Sequence, residues 1–352
     1  MQRIDQFCAG FATGDAISNE ALLLQKHLQK RGIKSQIFAE QFPDRDAHRV
    51  VHIRKFKPKP DSILVYHHST DTELLSRLPS LDCKKILIYH NVTPAEYVRP
   101  YNRGLADRLQ HARDVLKEIP HLFQTVLADS AYNASDLERM GYKDVKVMPV
   151  ALSPIWKTNP QRKNYRFTVL FVGRVFPNKR HQDLLKTFYF LKKIKPDARM
   201  RLVGHFHPEM RGYTGELKNL MRELDLRDVE FTGMVSDEQV AQAYADADVF
   251  LSMSEHEGFF VPLIESMHFR LPILAYNSSV IPETLGGSGV MFTEKNFPMV
   301  AETIVELHEN SPFRESILEA QTQRAAAFSL SSTTGIFDSA LDQALQGDLP
   351  KL

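Results

Sequence analysis

The chain has 352 residues, of which 43% are hydrophobic and 25% charged, with a formal net charge of +1. This length predicts about two globular domains, each able to bury its own core. The near-neutral charge gives no global field for nucleic acid, and no segment approaches the ~20 apolar residues of a membrane-spanning helix. The N-terminus lacks the apolar region of a secretion signal. Cys8 and Cys83 lie in or beside apolar runs, as expected for core residues of a reduced, cytoplasmic protein.

Short apolar strands alternate with amphipathic helices in the first half of the chain, a pattern typical of parallel α/β domains. Strands are predicted at Ile4–Ala9, Ser35–Ala39, Ile63–His67, Lys85–Tyr89, Thr125–Asp129 and Val145–Met148. The clearest helix is Ala16–Arg31, which carries leucines on one face and stops at Gly32. Gly10 and Gly14 flank the loop before this helix, and Asp15 is placed to cap it. The basic segment that follows, Arg49–Lys59, is compatible with peripheral contact at the inner face of an anionic membrane.

A polar segment with prolines, residues 152–164, is typical of an interdomain linker. The alternation restarts after it, with strands predicted at Phe167–Val172, Arg199–Val203, Val229–Phe231, Asp248–Ser252, Ile273–Ala275 and Val290–Phe292. We therefore expect a first domain over 1–155, a second over 156–328, and a helical tail over 329–352 that returns to the first domain. The predicted fold class is α/β, with two Rossmann-like parallel-sheet domains facing a cleft.

Two glutamates follow one buried strand of the second half. Glu257 is expected in a tight loop and Glu265 in the first turn of the next helix, where Pro262 suits the first helical position. The N–H groups at the start of such a helix can bind an anion, and a carboxylate beside the anion can accept hydrogen bonds from sugar or ribose hydroxyls. The pair therefore points to a nucleotide sugar. The alternatives are a glutamate that complements the helix dipole and a solvated loop charge.

The first strand of the second domain ends at Gly173, which permits a tight turn. Arg174 and Lys179 then place two cations at the carboxyl edge of this sheet, the edge that should also carry the loop of Glu257. A guanidinium forks onto phosphate oxygens and an ammonium acts as a point charge, so the two cations suit a departing diphosphate. For either cation alone, an ordinary surface charge is the alternative.

Other candidate residues have weaker patterns. His90 closes a strand of the first domain, where it could donate a hydrogen bond or exchange a proton, and a structural histidine is the alternative. Asp246 and Asp248 form an Asp-x-Asp pattern at a helix-to-strand junction, where we expect capping and predict no metal site. The loop from Gly10 to Gly14 lacks the Gly-x-Gly-x-x-Gly fingerprint, which leaves an NAD-dependent oxidoreductase as the last alternative.

These motifs together resemble the family 4 glycosyltransferases, which are retaining enzymes of the GT-B fold. The matching segments are Phe171-Val172-Gly173-Arg174 with Pro177 and Lys179, Phe231-Thr232-Gly233-Met234-Val235, Ala245-Asp246-Ala247-Asp248-Val249-Phe250, Glu257-Gly258-Phe259 through Glu265-Ser266-Met267, and Ile281-Pro282-Glu283. In the first domain, Gly14–Ile17 and Tyr89–Pro94 are similar to a subgroup that includes bacterial polysaccharide mannosyl- and glucosyltransferases.

The resemblance implies roles for the matching positions. Arg174 and Lys179 would bind the donor diphosphate, Glu265 the ribose and Glu257 the transferred sugar, and His90 would lie beside the reacting sugar. Further donor contacts are implied for Gly14, Asp15, Gly173, Met234, Val235, Gly258, Phe259, Phe260 and Val261. Phe260 stands where the family usually has glycine, which bears on the shape of the sugar pocket and on the identity of the donor.

The predicted function is the metal-independent, retaining transfer of a hexose from a nucleotide diphosphate sugar to a glycan or glycolipid hydroxyl. The donor would be GDP-mannose or a UDP-hexose, and the subgroup resemblance favours GDP-mannose. A nucleotide-sugar epimerase or hydrolase and a noncatalytic nucleotide-sugar-binding protein are alternatives with the same fold. The expected partners are the donor and a glycan or lipid-linked saccharide, without nucleic acid and without a separate cofactor.

Overall fold

The computed structural model describes residues 3–152 and 160–346, which form two compact α/β units. Unit 1 comprises residues 3–95, 104–152 and 328–346, and unit 2 comprises residues 96–103 and 160–327. A short segment from the first half of the chain is thus part of unit 2. The predicted domain boundary at residue 155 and most of the predicted linker 152–164 lie outside the described residues.

Unit 1 contains a seven-stranded parallel sheet. Its strands are β1 (Ile4–Gly10), β2 (Ile37–Gln41), β3 (Val50–His52), β4 (Ile63–His68), β5 (Lys84–Tyr89), β6 (Thr125–Ala128) and β7 (Lys146–Val147). Their order across the sheet is β3-β2-β1-β4-β5-β6-β7, so the winding direction changes between β1 and β4. In open parallel sheets, ligands bind at the carboxyl ends of the strands beside such a switch point.

The helices of the first half of the chain are α1 (Ala16–Lys30), α2 (Glu73–Arg77), α3 (Ala95–Val98), α4 (Arg103–Glu118) and α5 (Ala131–Arg139). Helix α1 begins as predicted, because the Asp15 carboxylate accepts a hydrogen bond from the Ser18 N–H at 3.2 Å. The chain leaves this helix through Gly32, whose φ of 75° is favourable for glycine. The first loop and helix therefore form where the sequence predicted them.

Unit 2 contains a six-stranded parallel sheet. Its strands are β8 (Thr168–Val172), β9 (Arg199–Val203), β10 (Val229–Gly233), β11 (Val249–Ser252), β12 (Ile273–Tyr276) and β13 (Val290–Phe292). Their order is β10-β9-β8-β11-β12-β13, so β8 and β11 are neighbours at the switch point. The loops after these two strands carry the predicted cations and carboxylates, and the topology therefore places them at one edge.

The helices of the second half are α6 (His181–Ile194), α7 (Arg211–Glu223), α8 (Asp237–Ala245), α9 (Val261–His268), α10 (Ile281–Leu285), α11 (Phe297–Glu309), α12 (Ser311–Ala325) and α13 (Leu330–Gln346). Helix α13 packs against β5 and β6 of unit 1, with Phe337 and Leu341 fully buried. Burying a side chain of this size contributes about 1.5–3 kcal/mol, so α13 is part of the unit 1 core. The predicted return of the C-terminal helix to the first sheet is confirmed.

Every predicted strand is present, with ends that differ by at most two residues. Strand β3 was missed, because it is three residues long and lies inside the basic segment Arg49–Lys59. Cys8 and Cys83 are both buried, as predicted. In the part of the chain that the structure describes, no helix has the length and apolar character needed to cross a bilayer.

Candidate functional site

The structure joins the side chains of Lys179 and Glu257 at the carboxyl edge of unit 2. Lys179 ends a short 3₁₀ turn, Pro177–Lys179, in the loop after β8. Glu257 lies in the loop between β11 and α9. The Lys179 Nζ and Glu257 Oε2 form an ion pair. A cation and a carboxylate that the sequence singled out separately are thus in direct contact.

This ion pair is largely removed from solvent, since the side chains of Lys179 and Glu257 are 15% and 5% exposed. Burial lowers the pKa of Lys179 because desolvation disfavours the ammonium; the attraction of Glu257 opposes this effect and the charge of Arg174 adds to it. The other carboxylate oxygen, Glu257 Oε1, is buried and has no hydrogen-bond partner among the described residues. Such an oxygen is a ready acceptor for a ligand hydroxyl.

Two polar residues that sequence reasoning missed hold the loops of this pair together. The Asn178 side chain donates from Nδ2 to His256 O at 2.7 Å, and the Asn178 carbonyl accepts from the Glu255 N–H at 2.9 Å. The Ser279 hydroxyl accepts from the Glu257 N–H at 2.9 Å. Asn178 lies inside a motif quoted above, which was a usable signal. Ser279 follows a different strand, and no local pattern connects it with Glu257.

A close backbone approach fixes the turn at Gly173. A Cβ atom at Gly204 would lie 2.0 Å from Gly173 O, so only glycine at position 204 allows the loops after β8 and β9 to meet. The Gly173 N–H then donates to Val203 O at 2.8 Å. Beyond the turn, the exposed Arg174 places its guanidinium over the Phe176 ring, 5.6 Å from the centroid. The predicted tight turn is therefore built by two contacting glycine backbones.

Helix α9 starts without a side-chain cap among the described residues. Its N-cap, Phe260, has φ 68° and ψ 62°, in the left-handed region. Pro262 is the second helical residue, one position later than predicted. The Phe259 carbonyl accepts from Thr284 Oγ1 at 3.1 Å, which anchors the preceding loop. Because the first N–H groups of a helix lack intrahelical acceptors, this end suits an anion.

Glu265 lies beyond the first turn of α9, which corrects the prediction that placed it within that turn. The helix begins at Val261 and has no acidic residue in its first turn. The Glu265 Oε2 accepts a hydrogen bond from the Tyr244 hydroxyl at 2.7 Å. The charge of Glu265 therefore does not complement the start of the helix dipole, and Tyr244 instead orients its carboxylate.

The two residues predicted to border the base follow β10 directly. Met234 is 62% exposed, and Val235 is half-buried. They come after Gly233, which ends the strand with a φ of 69°. Because β10 belongs to the same parallel sheet as β8 and β11, these residues lie at the same carboxyl edge. An exposed, polarizable thioether beside an apolar side chain offers an apolar surface for a base.

In unit 1, the start of α1 is occupied by the chain's own carboxylates. Asp15 caps the helix directly after Gly14, which has a φ of 96°. Asp46 accepts hydrogen bonds from the Thr13 N–H at 3.1 Å and from Thr13 Oγ1 at 2.6 Å. An anion at this helix start would meet both carboxylates. The start of α9 is electrostatically better suited to a phosphate than the start of α1.

The His90 imidazole belongs to a buried hydrogen-bonded chain in unit 1. Its Nδ1 donates to Asp129 Oδ2 at 2.8 Å, and its Nε2 lies 2.9 Å from His67 Nδ1. The His67 Nε2 donates to Gln6 Oε1 at 3.0 Å. The His90 side chain is 3% exposed, so the solvent-accessible atoms of this residue belong to its backbone. Direct proton exchange between this ring and a ligand would require at least one of its two hydrogen bonds to break.

Glu20 faces the same histidines, and the three side chains resemble a metal-ligand set. The Glu20 Oε2 lies 3.7 Å from His90 Nε2 and 4.0 Å from His67 Nδ1. A tetrahedral zinc ion, with bonds of about 2.0–2.1 Å, would hold its ligand atoms roughly 3.3 Å apart. The 2.9 Å between the ring nitrogens is instead a normal N–H···N hydrogen-bond length. A proton therefore fits between the two rings better than a metal.

The charges of this cluster explain which group holds the proton. Burial lowers the pKa of His90, but the combined attraction of Asp129, Glu20 and Asp15 raises it to about 9. Burial, with the nearby charge of Asp129, raises the pKa of Glu20 to about 8. Burial and the charge of His90 hold the pKa of His67 well below its usual range. His90 is thus a cation at neutral pH that donates to a neutral His67.

Asp246 and Asp248 bind backbone groups of their own unit. The Asp246 Oδ1 accepts from the N–H groups of Lys163 and Asn164 at 2.7 and 3.1 Å. Asp248 accepts from the Thr168 N–H at 2.8 Å, and both of its oxygens accept from an arginine, Arg162. Asp246 is also the C-cap residue of α8, as predicted, and its N–H donates to the Gln242 carbonyl. The role of both aspartates is structural, and Asp248 anchors the start of β8.

Residues 154–324 match the sequence family described as Glycosyl transferases group 1. This part of the chain is a group 1 glycosyltransferase domain. Lys179, Glu257 and Glu265 all lie inside it. O-antigen chain mannosyltransferase B of Escherichia coli is 25% identical over 170 residues, which are 47% of this chain and 43% of the relative. The MMP alpha-(1->4)-mannosyltransferase of Mycolicibacterium hassiacum is 28% identical over 193 residues, which are 54% of this chain and 45% of the relative.

Each of these matches spans less than half of the mannosyltransferase concerned. The similarity to solved structures extends over nearly the whole chain. Anabaena HepE, solved in complex with UDP and glucose, matches with a TM-score of 0.72 at 15% identity. The match covers 97% of this chain and 99% of the HepE chain. At this identity the likeness concerns the fold, and it confirms the predicted GT-B class for the glycosyltransferase domain and the sheet that precedes it.

Proposed function

We propose that the protein transfers a hexose from a nucleotide diphosphate sugar to a hydroxyl group of a glycan or glycolipid, with retention and without a metal ion. The observation that carries the proposal is the buried Lys179–Glu257 ion pair, whose second carboxylate oxygen has no partner among the described residues. The ammonium complements the charge of a diphosphate. The remaining oxygen of Glu257 accepts a hydrogen bond from a hydroxyl group of the transferred sugar.

Neighbouring groups of the glycosyltransferase domain are placed to bind the other parts of the nucleotide sugar. Arg174 is exposed at the end of β8, where its guanidinium binds a phosphate oxygen. The start of α9 supplies N–H groups for the same diphosphate. Glu265, oriented by the hydroxyl of Tyr244, accepts hydrogen bonds from the ribose hydroxyls. Met234 lies under the base.

The transfer takes place on one face of the sugar. The bond between the anomeric carbon and the phosphate oxygen breaks, while the acceptor oxygen bonds to the same carbon from the same side. The acceptor proton passes to the departing phosphate oxygen, and the growing negative charge is stabilised by Arg174 and Lys179. Glu257 is already paired with Lys179, which disfavours a role as the attacking nucleophile and supports retention by direct transfer.

The choice of donor rests on the comparisons. The two mannosyltransferase relatives support a mannosyl donor such as GDP-mannose. The HepE structure with UDP and glucose supports a UDP-hexose. Exposed basic residues before and after β3 support a lipid-linked acceptor at the inner face of a membrane: Arg49, Arg54, Lys55, Lys57 and Lys59. His90, Gly14 and Asp15 of unit 1 stay predictions for the remaining contacts.

The test begins with thermal unfolding of the wild-type protein in the presence of individual nucleotide sugars. We expect one donor to raise the unfolding midpoint, because a ligand that binds the folded state stabilises it. That donor is then incubated with free and lipid-linked oligosaccharides, and products are identified by mass spectrometry. A product enlarged by one hexose, formed in the presence of a chelator and with the anomeric configuration of the donor, supports the proposal.

Three other results would contradict it. Conversion of the donor at full rate without an acceptor would favour an epimerase or hydrolase. Stabilisation by a nucleotide sugar without turnover on any acceptor would favour a binding protein. Full transfer activity in a Glu257→Gln variant would remove the assigned role of the ion pair, since the amide replaces the carboxylate with a group of the same shape and no charge.

A further inference from the structure

Phe260 has a backbone conformation that is unfavourable for its side chain. Its φ of 68° and ψ of 62° lie in the left-handed region, where Cβ crowds the backbone of any residue other than glycine. A bulky residue in this region is uncommon and is often associated with a functional site. On backbone grounds the position favours glycine, so the phenyl ring must contribute an interaction that glycine cannot make.

The contacts of the ring identify that interaction. The Phe260 residue is 5% exposed, and its ring packs against Phe171 and Phe250 with centroid distances of 6.2 and 6.0 Å. The Lys179 Nζ lies over the ring, 5.1 Å from its centroid. This distance is within the range of about 6 Å in which an aromatic face attracts a cation. The two neighbouring aromatic residues hold the ring in place under the ammonium.

The ammonium of Lys179 therefore has two supports, the Glu257 carboxylate and the face of the Phe260 ring. An ammonium has three N–H donors. The ring attracts the positive charge without accepting a conventional hydrogen bond. This arrangement stabilises a desolvated cation and leaves N–H donors of the ammonium for phosphate oxygens. A second carboxylate in place of the ring would accept one of those N–H groups.

We propose that Phe260 is a positioning residue whose ring holds the Lys179 ammonium charged and oriented against Glu257, where it meets the departing diphosphate of the donor. The inference rests on the proposed function. Because negative charge on the diphosphate grows in the transition state, the ring affects kcat more than the KM for the donor.

The decisive experiment replaces Phe260 with 4-fluoro-, 3,5-difluoro- and 3,4,5-trifluorophenylalanine. Fluorine withdraws electron density from the ring face and nearly preserves the shape of the ring. We expect kcat to fall with each added fluorine, by about tenfold across the series, while the donor KM and the thermal unfolding midpoint stay close to wild type. The same fluorinated residues at Phe188, a fully buried ring on α6, are the matched control and should leave kcat unchanged.

Two ordinary substitutions complement the series. Phe260→Gly relieves the backbone crowding, and Phe260→Leu keeps an apolar side chain but removes the aromatic face. Both should fold and lose kcat by at least about tenfold, because neither supports the ammonium. Wild-type kcat in the fluorinated proteins or in Phe260→Leu would overturn the inference. If Phe260→Leu fails to fold, the fluorinated series still decides the question.

A second readout separates this inference from the proposed function. Competitive labelling of lysine side chains with an amine reagent, followed by mass spectrometry, measures the pKa of Lys179 without any turnover. Fluorination of Phe260 should lower that pKa stepwise, since a weaker ring face stabilises the ammonium less. An unchanged Lys179 pKa would overturn the role of the ring. If the pKa of Lys179 falls with fluorination but the wild-type protein transfers no sugar, the proposed function is contradicted and the role of the ring is not.

Discussion

Lys179 is the residue on which the proposed chemistry depends most directly. A Lys179→Ala variant removes the ammonium that faces the leaving diphosphate and leaves the buried Glu257 without its ion pair. We expect kcat to fall by about 10²–10³-fold, the usual effect of losing one preorganised charge, with the acceptor KM little changed. Steady-state kinetics with both substrates varied separately checks this expectation. Lys218→Ala, at an exposed side chain on α7, is the control, and near-normal turnover in Lys179→Ala would rule out the assigned role.

Tyr244 acts on the donor through Glu265. Its hydroxyl donates to Glu265 Oε2 at 2.7 Å, and burial raises the pKa of Tyr244 far above its usual range, so the phenol keeps its proton. Tyr244→Phe removes this donor and leaves the ring packed against Phe269. Because one hydrogen bond contributes about 1 kcal/mol, we expect the donor KM to rise roughly fivefold with kcat nearly unchanged. A fall in kcat with an unchanged KM would show that Glu265 acts in the transition state instead of binding the ribose.

Four charged side chains connect the elements that carry the Lys179–Glu257 pair. The Lys295 Nζ binds Asp183 of α6 at 2.8 Å and Glu255 of the loop after β11 at 2.6 Å. The Arg180 Nε lies 3.1 and 3.2 Å from the same two carboxylates. Since Asp183 has a side-chain exposure of 2%, it depends on these cations. The cluster joins the start of α6 and the segment before α11 to the loop that precedes α9.

A Lys295→Met variant tests this connection. It keeps the aliphatic stem, removes one of the three cations beside the buried Asp183, and should lower the free energy of unfolding by about 1–3 kcal/mol. Turnover should fall as well, because the loops of Lys179 and Glu257 lose a shared anchor. Denaturant unfolding and kcat are measured on the same preparation. The control is Lys195→Met, whose partner Glu309 is 52% exposed, and a change of only about 0.2–1 kcal/mol is expected there. Equal losses in both variants would contradict the connection.

The elements were predictable from sequence where hydrophobic runs are continuous, and the contacts between distant loops were not. Strand β3 has three residues between basic side chains, so its pattern resembles a solvated loop, and pairing with β2 alone makes it a strand. The role of Asn178 could have been predicted, because this residue stands between two motif residues. Ser279 was not, since its contact with Glu257 exists only after β12 has paired with β11. The left-handed Phe260 was equally hidden, because its backbone strain is offset by side chains from separate strands.

The stability of the folded chain should depend on pH in two opposite ways. His68 and His181 are buried, and burial lowers the pKa of each to about 3, so the folded protein keeps them neutral. Unfolding frees both to bind protons at their ordinary value of 6.5, so stability falls as the pH drops below about 6.5. The cluster around His90 acts in the other direction. A pKa of about 9, raised from 6.5, means that the folded state holds a proton that the unfolded state releases.

The stabilisation from His90 is complete below pH 6.5 and is lost as the pH rises through about 9. Glu20 acts in the same direction, because its pKa, raised to about 8, makes the folded state retain that proton too. The double variant Glu20→Gln, Asp129→Asn keeps the shapes of the side chains. It removes the titrating proton of Glu20 and the Asp129 carboxylate, which is the main group that holds His90 charged. We expect its thermal unfolding midpoint to decline less than that of wild type between pH 6.5 and 9, and to decline more below pH 6.5, where His90 must then be buried neutral.

The comparison of the two curves isolates the cluster, since titration of every other group cancels in the difference. Asp114→Asn, an exposed carboxylate on α4 that pairs with Lys117, serves as the control and should run parallel to wild type across the range. A metal bound by Glu20, His67 and His90 would give the reverse dependence, because protons compete with a metal for its ligands and stability would then rise with pH. A double variant that declines as steeply as wild type between pH 6.5 and 9, or a wild-type midpoint that rises over this range, would therefore contradict a charged His90 that stabilises unit 1.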